Sequence, residues 1–207
     1  MDLPAQKYPV IYADPPWSYQ KAPLVNRGRA RAVEKEYDTM QPEELLALPV
    51  ASCAEKDSLL FMWAVWPKLP QAIELMSAWG FTYQTVGFVW VKTYTNPWKP
   101  FFGMGFYTRS NTEVVLIGKR GQGRKRKCAS ISQLVEESEP EEPGVFRSPI
   151  LAHSQKPRQI RDHITALYDG PYLELFARQA SRGWDVWGNQ APESEPESPD
   201  FDDLFDL

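Results

Sequence analysis

YPVIYADPPW, residues 8–17, is a short apolar run that stops at an acid and two prolines. Pro9–Ala13 reads as a buried strand. Asp14-Pro15-Pro16 must end it, because two consecutive prolines lack the N–H donors that a sheet ladder needs. In open α/β sheets ligands bind beyond the carboxyl ends of strands, and Asp14 stands at such an end. The turn offers acceptors only: the Asp14 carboxylate and the carbonyls of the proline segment. That chemistry suits an amino group, and Trp17 sets an aromatic face beside it. The alternative reading is an ordinary tight turn with Trp17 in the core.

Outward from this stretch, helical and strand patterns alternate. Pro42–Leu48 reads as a short helix, Leu59–Val65 as a strand, and Pro67–Trp79 as a helix with Leu69, Ala72, Ile73, Met76 and Trp79 on its apolar face. A strand follows within Phe81–Lys92, then another at Glu113–Gly118. Pro157–Tyr168 reads as a helix, and Tyr172–Ala177 and Trp184–Trp187 as strands. Such alternation predicts an α/β fold with a mostly parallel sheet covered on both faces. One domain over residues 1–190 is expected. Within it, 121–144 reads as a flexible insertion, basic at its start and acidic at its end, and 191–207 as an acidic disordered tail.

Composition excludes several classes. No apolar run approaches the roughly 20 residues of a membrane helix, and residues 1–10 lack the pattern of a signal peptide. Cys53 and Cys128 have no ligand spacing around them, so neither a disulfide framework nor a metal site is expected, and a cytoplasmic location fits. The net charge of −4 hides an uneven distribution. Without the seven acids of residues 191–207, 20 acidic residues face 23 basic ones. A mildly cationic body suits a nucleic-acid partner.

An amino group of adenine is a poor nucleophile, since its lone pair is delocalised into the ring. Two acceptors on its hydrogens would favour a tetrahedral, reactive nitrogen. Stacking on Trp17, worth about 1–3 kcal/mol, would offset much of the few kcal/mol needed to flip a base out of a helix.

The tetrapeptide Asp14-Pro15-Pro16-Trp17 resembles the hallmark of a family of adenine amino-methyltransferases that includes messenger-RNA adenosine methyltransferases and phage and bacterial enzymes. The stretches GFYTRSNTEVVLIGKRG, HSQKP, LELFAR and GWDVWGNQ are similar to segments that recur there in the same order, so the resemblance runs from about Tyr8 to Gln190. It implies a Rossmann-like fold that uses S-adenosylmethionine, with a circularly permuted order: the catalytic turn first and the cofactor strand last. It also implies that Asp14, Pro15, Pro16 and Trp17 are catalytic.

His153-Ser154-Gln155-Lys156-Pro157 opens a helix, which makes Pro157 the expected first helical residue and Lys156 the expected cap. A helix N-terminus with a cation beside it is an anion site, and the resemblance implies that Lys156 binds the cofactor carboxylate. By the same resemblance Arg178 reaches the ribose or amino-acid end of the cofactor, and Asn189 and Gln190 line its nucleoside. Glu174 either braces the site or pairs with a neighbouring base. The strand of Glu174 is followed by Arg178-Gln179-Ala180-Ser181, so no glycine fingerprint is present.

The substrate layer rests on charge. Lys119, Arg120, Arg124, Lys125, Arg126 and Lys127 put six cations in nine residues, a phosphate grip or a solvated face. Tyr19 and Arg109 are further substrate candidates, as are Lys21, Arg27, Arg29 and Arg31 in the loop after Trp17. Asn96-Pro97-Trp98 and Phe101-Phe102-Gly103 would shape the base pocket. The expected activity is methylation of adenine N6 in DNA, by a chain that could form a homo- or hetero-dimer. The competing readings are an RNA substrate, a catalytically silent nucleic-acid-binding subunit, and a methyltransferase acting on a small molecule or a protein amide.

Overall fold

The computed structural model of the chain describes residues 2–17, 40–94, 99, 101–103, 107–135, 148–149 and 156–189. Its strands are β1 (Tyr8–Ala13), β2 (Ala54–Ala64), β3 (Thr82–Thr93), β4 (Thr112–Arg120), β5 (Leu134–Val135), β6 (Ser148–Pro149), β7 (Tyr172–Leu175) and β8 (Trp184–Trp187). Its helices are α1 (Pro42–Ala47), α2 (Leu69–Ala78) and α3 (Gln159–Leu167). The six longer strands lie in the order β3-β4-β2-β1-β7-β8, and the two-residue β5 and β6 both pair with β3.

The sheet is mostly parallel. β1 runs parallel to both neighbours, with Ala13 opposite Met62 on one side and Leu175 on the other. β7 and β8 are also parallel, whereas β4 is antiparallel to β2 and β3. All six residues of β1 are buried, as are Ser58–Ala64 of β2. Such doubly covered strands read as unbroken apolar runs rather than alternating ones.

Two cores follow from the period-2 alternation of side chains. Ile11, Ala13, Leu60 and Met62 pack against Leu45 of α1 and Ala72, Leu75 and Met76 of α2. Val10, Tyr12, Phe61 and Trp63 face the other way, toward Ile160 and Ile164 of α3. Trp79 closes the first core and ties its helices together, its indole N–H donating to the Leu45 carbonyl at 2.8 Å.

Several boundaries differ from the sequence expectation, and β2 starts at Ala54 rather than Leu59. Trp66–Lys68 forms a tight 3-10 turn, so α2 starts at Leu69, and Leu75 takes the buried position expected of Ile73, which faces solvent. β7 ends at Leu175, not Ala177, because Phe176 turns into the left-handed region at φ 62°. α3 begins at Gln159 with Arg158 as its cap, not at Pro157 with Lys156 as its cap. Proline's fixed φ near −65° suits a turn as well as a helix start, and the Pro157 carbonyl accepts from Ile160 at 3.4 Å in such a turn.

The strand order has one functional consequence. From β1 the sheet grows toward β2 on one side, and the last strands, β7 and β8, fill the other. The β1/β7 seam is therefore a topological switch point, where the loops leaving the strand ends diverge and open a crevice. No described helix is long and apolar enough to cross a membrane.

Candidate active site

Asp14 leaves β1 at that seam, and its backbone N–H donates to the Leu175 carbonyl at 3.5 Å. The two prolines then fold the chain back. Trp17 N–H donates to the Pro15 carbonyl at 2.9 Å, and Met40 N–H to the Pro16 carbonyl at 3.2 Å. The turn that the sequence marks as acceptor-rich thus spends part of its carbonyl capacity internally, while each carbonyl keeps a second lone pair. The Trp17 indole packs against the α1/α2 core, and its N–H is buried with no acceptor among the described residues.

A small cleft opens here. Its walls bring together Asp14, Pro15, Pro16, Trp17, Lys156 and Arg178 with Trp63, Ala64, Val65 and Glu113. Lys156 is the hub. Its Nζ lies 2.9 Å from Asp14 Oδ2 and 3.5 Å from Glu113 Oε2, and 5.3 Å above the Trp63 ring. Burial alone would push the lysine toward its neutral form, but the charges of Asp14 and Glu113 outweigh it and hold the ammonium well above the ordinary lysine range. Burial likewise pushes Glu113 up, and the charges of Lys156 and Lys92 more than reverse it, so Glu113 sits below the ordinary carboxylate value. Lys156 acts from the cleft floor and not as a helix cap.

A second charged pair lies behind the first. Glu174 on β7 is opposite Tyr12 in register and accepts twice from Arg161 of α3, at 2.9 and 2.8 Å. Of the two sequence readings for Glu174, pairing with a neighbouring base is the observed one. Burial raises the Glu174 carboxyl, and the Arg161 guanidinium offsets this in part. Tyr12 bridges the two layers: its hydroxyl accepts from the Trp63 indole, and burial followed by the Glu174 charge pushes it well above the ordinary tyrosine range.

The β7 exit is built from aromatics rather than glycines. Phe176 holds its left-handed φ between Trp79, stacked at 6.2 Å, and Trp187, edge-on at 5.5 Å. Gly188 is needed beside it, because a Cβ there would lie 2.7 Å from the Ala177 carbonyl oxygen. This close approach sets Asn189 at the carboxyl edge of the sheet, exposed, next to the Ala177–Arg178 turn.

Other expected residues fall elsewhere. Arg109 stands in the β3–β4 connection on the cleft side of the sheet, its guanidinium 5.7 Å from the exposed Phe102 ring. Lys119 and Arg120 end β4 at the opposite edge, and Arg124, Lys125, Arg126 and Lys127 follow them there. The cationic run and the cleft are therefore separate. Tyr19, Lys21, Arg27, Arg29, Arg31, Asn96-Pro97-Trp98, His153, Gln190 and residues 191–207 lie outside the described residues. Cys53 and Cys128 are free thiols. Sequence reasoning missed Glu113 and Trp63. The available signal for Glu113 was a lone acid opening an otherwise apolar strand.

The chain is similar to known methyltransferases. The chain is 37% identical over 212 residues to the Type II methyltransferase M.MunI of a Mycoplasma species, covering 95% of this chain and 83% of that protein. It is 26% identical to the human N(6)-adenine-specific methyltransferase METTL4, over 88% of this chain but 37% of that protein. It is 28% identical to the N6-methyladenosine RNA methyltransferase MTA1 of Cryphonectria parasitica, over 90% of this chain and 52% of that protein. The MT-A70 model matches residues 8–190, from the first strand to the end of the described sheet, and the chain belongs to the MT-A70 family.

Proposed function

We propose that this chain transfers a methyl group from S-adenosylmethionine to the exocyclic N6 of adenine in DNA. The observation that carries the reading is the Asp14 carboxylate at the β1/β7 switch point, facing Lys156 and Arg178 across one cleft.

The donor set fits the cofactor. A molecule carrying a carboxylate at one end needs cations beside it, which Lys156 and Arg178 supply in the same cleft. Asn189 and Gln190 would reach the nucleoside end. When bound, S-adenosylmethionine supplies an activated methyl group on a sulfonium, so the protein has only to position the acceptor.

Positioning falls to the turn. Asp14 accepts one hydrogen of the amino group, and the free lone pair of a proline-segment carbonyl accepts the other. The Lys156 ammonium now occupies the Asp14 carboxylate and weakens it as an acceptor. A carboxylate arriving beside Lys156 and Arg178 would draw the ammonium away, since Glu113 holds its other side. Cofactor binding would thereby free Asp14 for the base. Trp17 and Trp63 give the cleft its aromatic walls, Arg109 would act at the entrance, and Tyr19, outside the described residues, would be a further substrate contact.

The DNA assignment follows the relatives. The Type II methyltransferase shares more of its length with this chain than MTA1 does, and Type II is the vocabulary of DNA modification. An RNA substrate is the second reading, favoured by the likeness to MTA1. The deciding experiment incubates the protein with cofactor carrying a labelled methyl group and matched DNA and RNA, then separates nucleosides by mass spectrometry. N6-methyl-deoxyadenosine supports the DNA reading, N6-methyladenosine from RNA alone replaces it, and no product on either overturns the activity.

A further inference from the structure

We propose that residues 121–127 form an exosite for the nucleic-acid phosphate backbone, on the sheet edge opposite the cleft. The proposal rests on the nucleic-acid methyltransferase reading above and adds a second contact to it.

Strand β4 joins the two places. Glu113 at its start lines the cleft, and Arg120 at its end pairs with Ser58 at the far edge. At about 3.3 Å per residue the two ends are roughly 20 Å apart. Beyond Arg120 the chain shapes an open concavity with Arg124, Lys125, Arg126 and Lys127, flanked by Asp57 and Asp169.

The backbone of this loop is fixed, unlike that of a merely solvated charge run. Gln122 N–H donates to Asp57 Oδ1 at 2.7 Å, Gly123 N–H to the Arg120 carbonyl at 3.0 Å, and Lys127 N–H to the Leu167 carbonyl at 2.7 Å. Gly121 takes φ 57° where a Cβ would lie 2.2 Å from Asp57 Oδ1, so the tether requires glycine. The outer cations hold the flanks: Arg124 pairs with Glu55 at 3.4 Å and Lys127 with Asp169 at 3.0 Å. No described carboxylate pairs with Lys125 or Arg126, and both are exposed. Two anchored cations thus bracket two that project, in a concave surface on a rigid frame. Exposed ion pairs of the flanking kind are worth little, so Arg124 and Lys127 can turn to phosphates as well.

The distance decides the role. Phosphates of one strand are spaced about 3.4 Å along the helix axis, so a contact roughly 20 Å from the target base meets the backbone about six nucleotides away. The exosite therefore adds sequence-independent affinity for long substrates and contributes nothing to a short one.

The test compares the full chain with its Lys125→Gln/Arg126→Gln variant by fluorescence anisotropy, on DNA of about 5 and about 24 nucleotides across a salt series. Two lost phosphate contacts flatten the slope of log affinity against log salt by about 2 on the long DNA, with about a tenfold loss at low salt. The short DNA binds both proteins alike. An unchanged slope on long DNA, or an equal loss at both lengths, overturns the exosite. Methylation by the wild type separates the two ideas: product with an unchanged slope removes the exosite alone, and no product on any DNA removes the parent reading with it.

Discussion

Lys156 Nζ and Asp14 Oδ2 lie 2.9 Å apart although 142 positions separate them in the chain. The contact joins the two ends of the sequence at the β1/β7 crevice, and it makes the state of the Asp14 carboxylate depend on what else the lysine can bind.

Asp14→Ala abolishes methyl transfer without unfolding the protein. The side chain projects into an open cleft and β1 ends before it, so far-UV circular dichroism and the urea midpoint stay close to wild type, while labelled-methyl incorporation falls by at least about 100-fold, the scale on which single preorganised polar groups act. Retained turnover would remove Asp14 from the mechanism.

The Glu113–Lys156 pair gives stability an acid limb and an alkaline limb. Glu113 is held below its ordinary value of 4.5, so the unfolded chain binds its proton first. The stabilisation is present above that value and is lost as pH falls through the folded one. Lys156 is held above its ordinary 10.5, so its contribution is complete below that pH and is lost as pH rises past it. The two limbs share the Glu113–Lys156 attraction and are not additive, but Asp14 raises Lys156 more than Glu113 does and Lys92 also lowers Glu113. Urea midpoints measured across pH for wild type and Glu113→Gln test this: the variant loses less stability between about pH 5 and 3. Parallel curves would place Glu113 outside the ion pair.

Most of the fold was legible because its signals are local. The apolar run into Asp14-Pro15-Pro16 fixes a strand end, and each of the six longer strands overlaps an expected stretch, although β2 begins five residues before its own. The site was legible in part. Asp14, Trp17, Lys156 and Arg178 do meet, and a shared motif pointed to each. Glu113 and Trp63 did not stand out, since what makes them site residues is the antiparallel pairing of β4 with β2, a long-range fact that no local pattern encodes. The cationic run shows the converse. Its composition suggested phosphate binding, but composition carries no position, and the direction of β4 takes it to the far edge.

Arg161→Met leaves the Glu174 carboxylate, 8% exposed, without the guanidinium nitrogen that donates to both its oxygens. Removing one member of a buried pair costs about 3–5 kcal/mol, because the remaining charge is neither hydrated nor compensated. Arg161→Met/Glu174→Gln recovers a large part of that loss. A double-mutant cycle on chemical denaturation gives the coupling, and additive losses would mean that the pair is not formed.

Phe176 holds a left-handed backbone, which costs an L-residue with a side chain about 1–2 kcal/mol. It is tolerated because the ring fills the gap between Trp79 and Trp187. Two substitutions separate these effects. Phe176→Ala loses the ring and keeps the strain. Phe176→Gly loses the same ring and relieves the strain, since glycine adopts positive φ freely. Both fall below wild type, and the glycine variant melts above the alanine one by roughly 2–4 °C, the shift about 1 kcal/mol produces in a chain of this size. Elsewhere in a sheet or helix glycine is the more destabilising of the two. An alanine variant that melted above the glycine one would therefore show that residue 176 does not carry the left-handed turn on which the close approach of Gly188 to Ala177 depends.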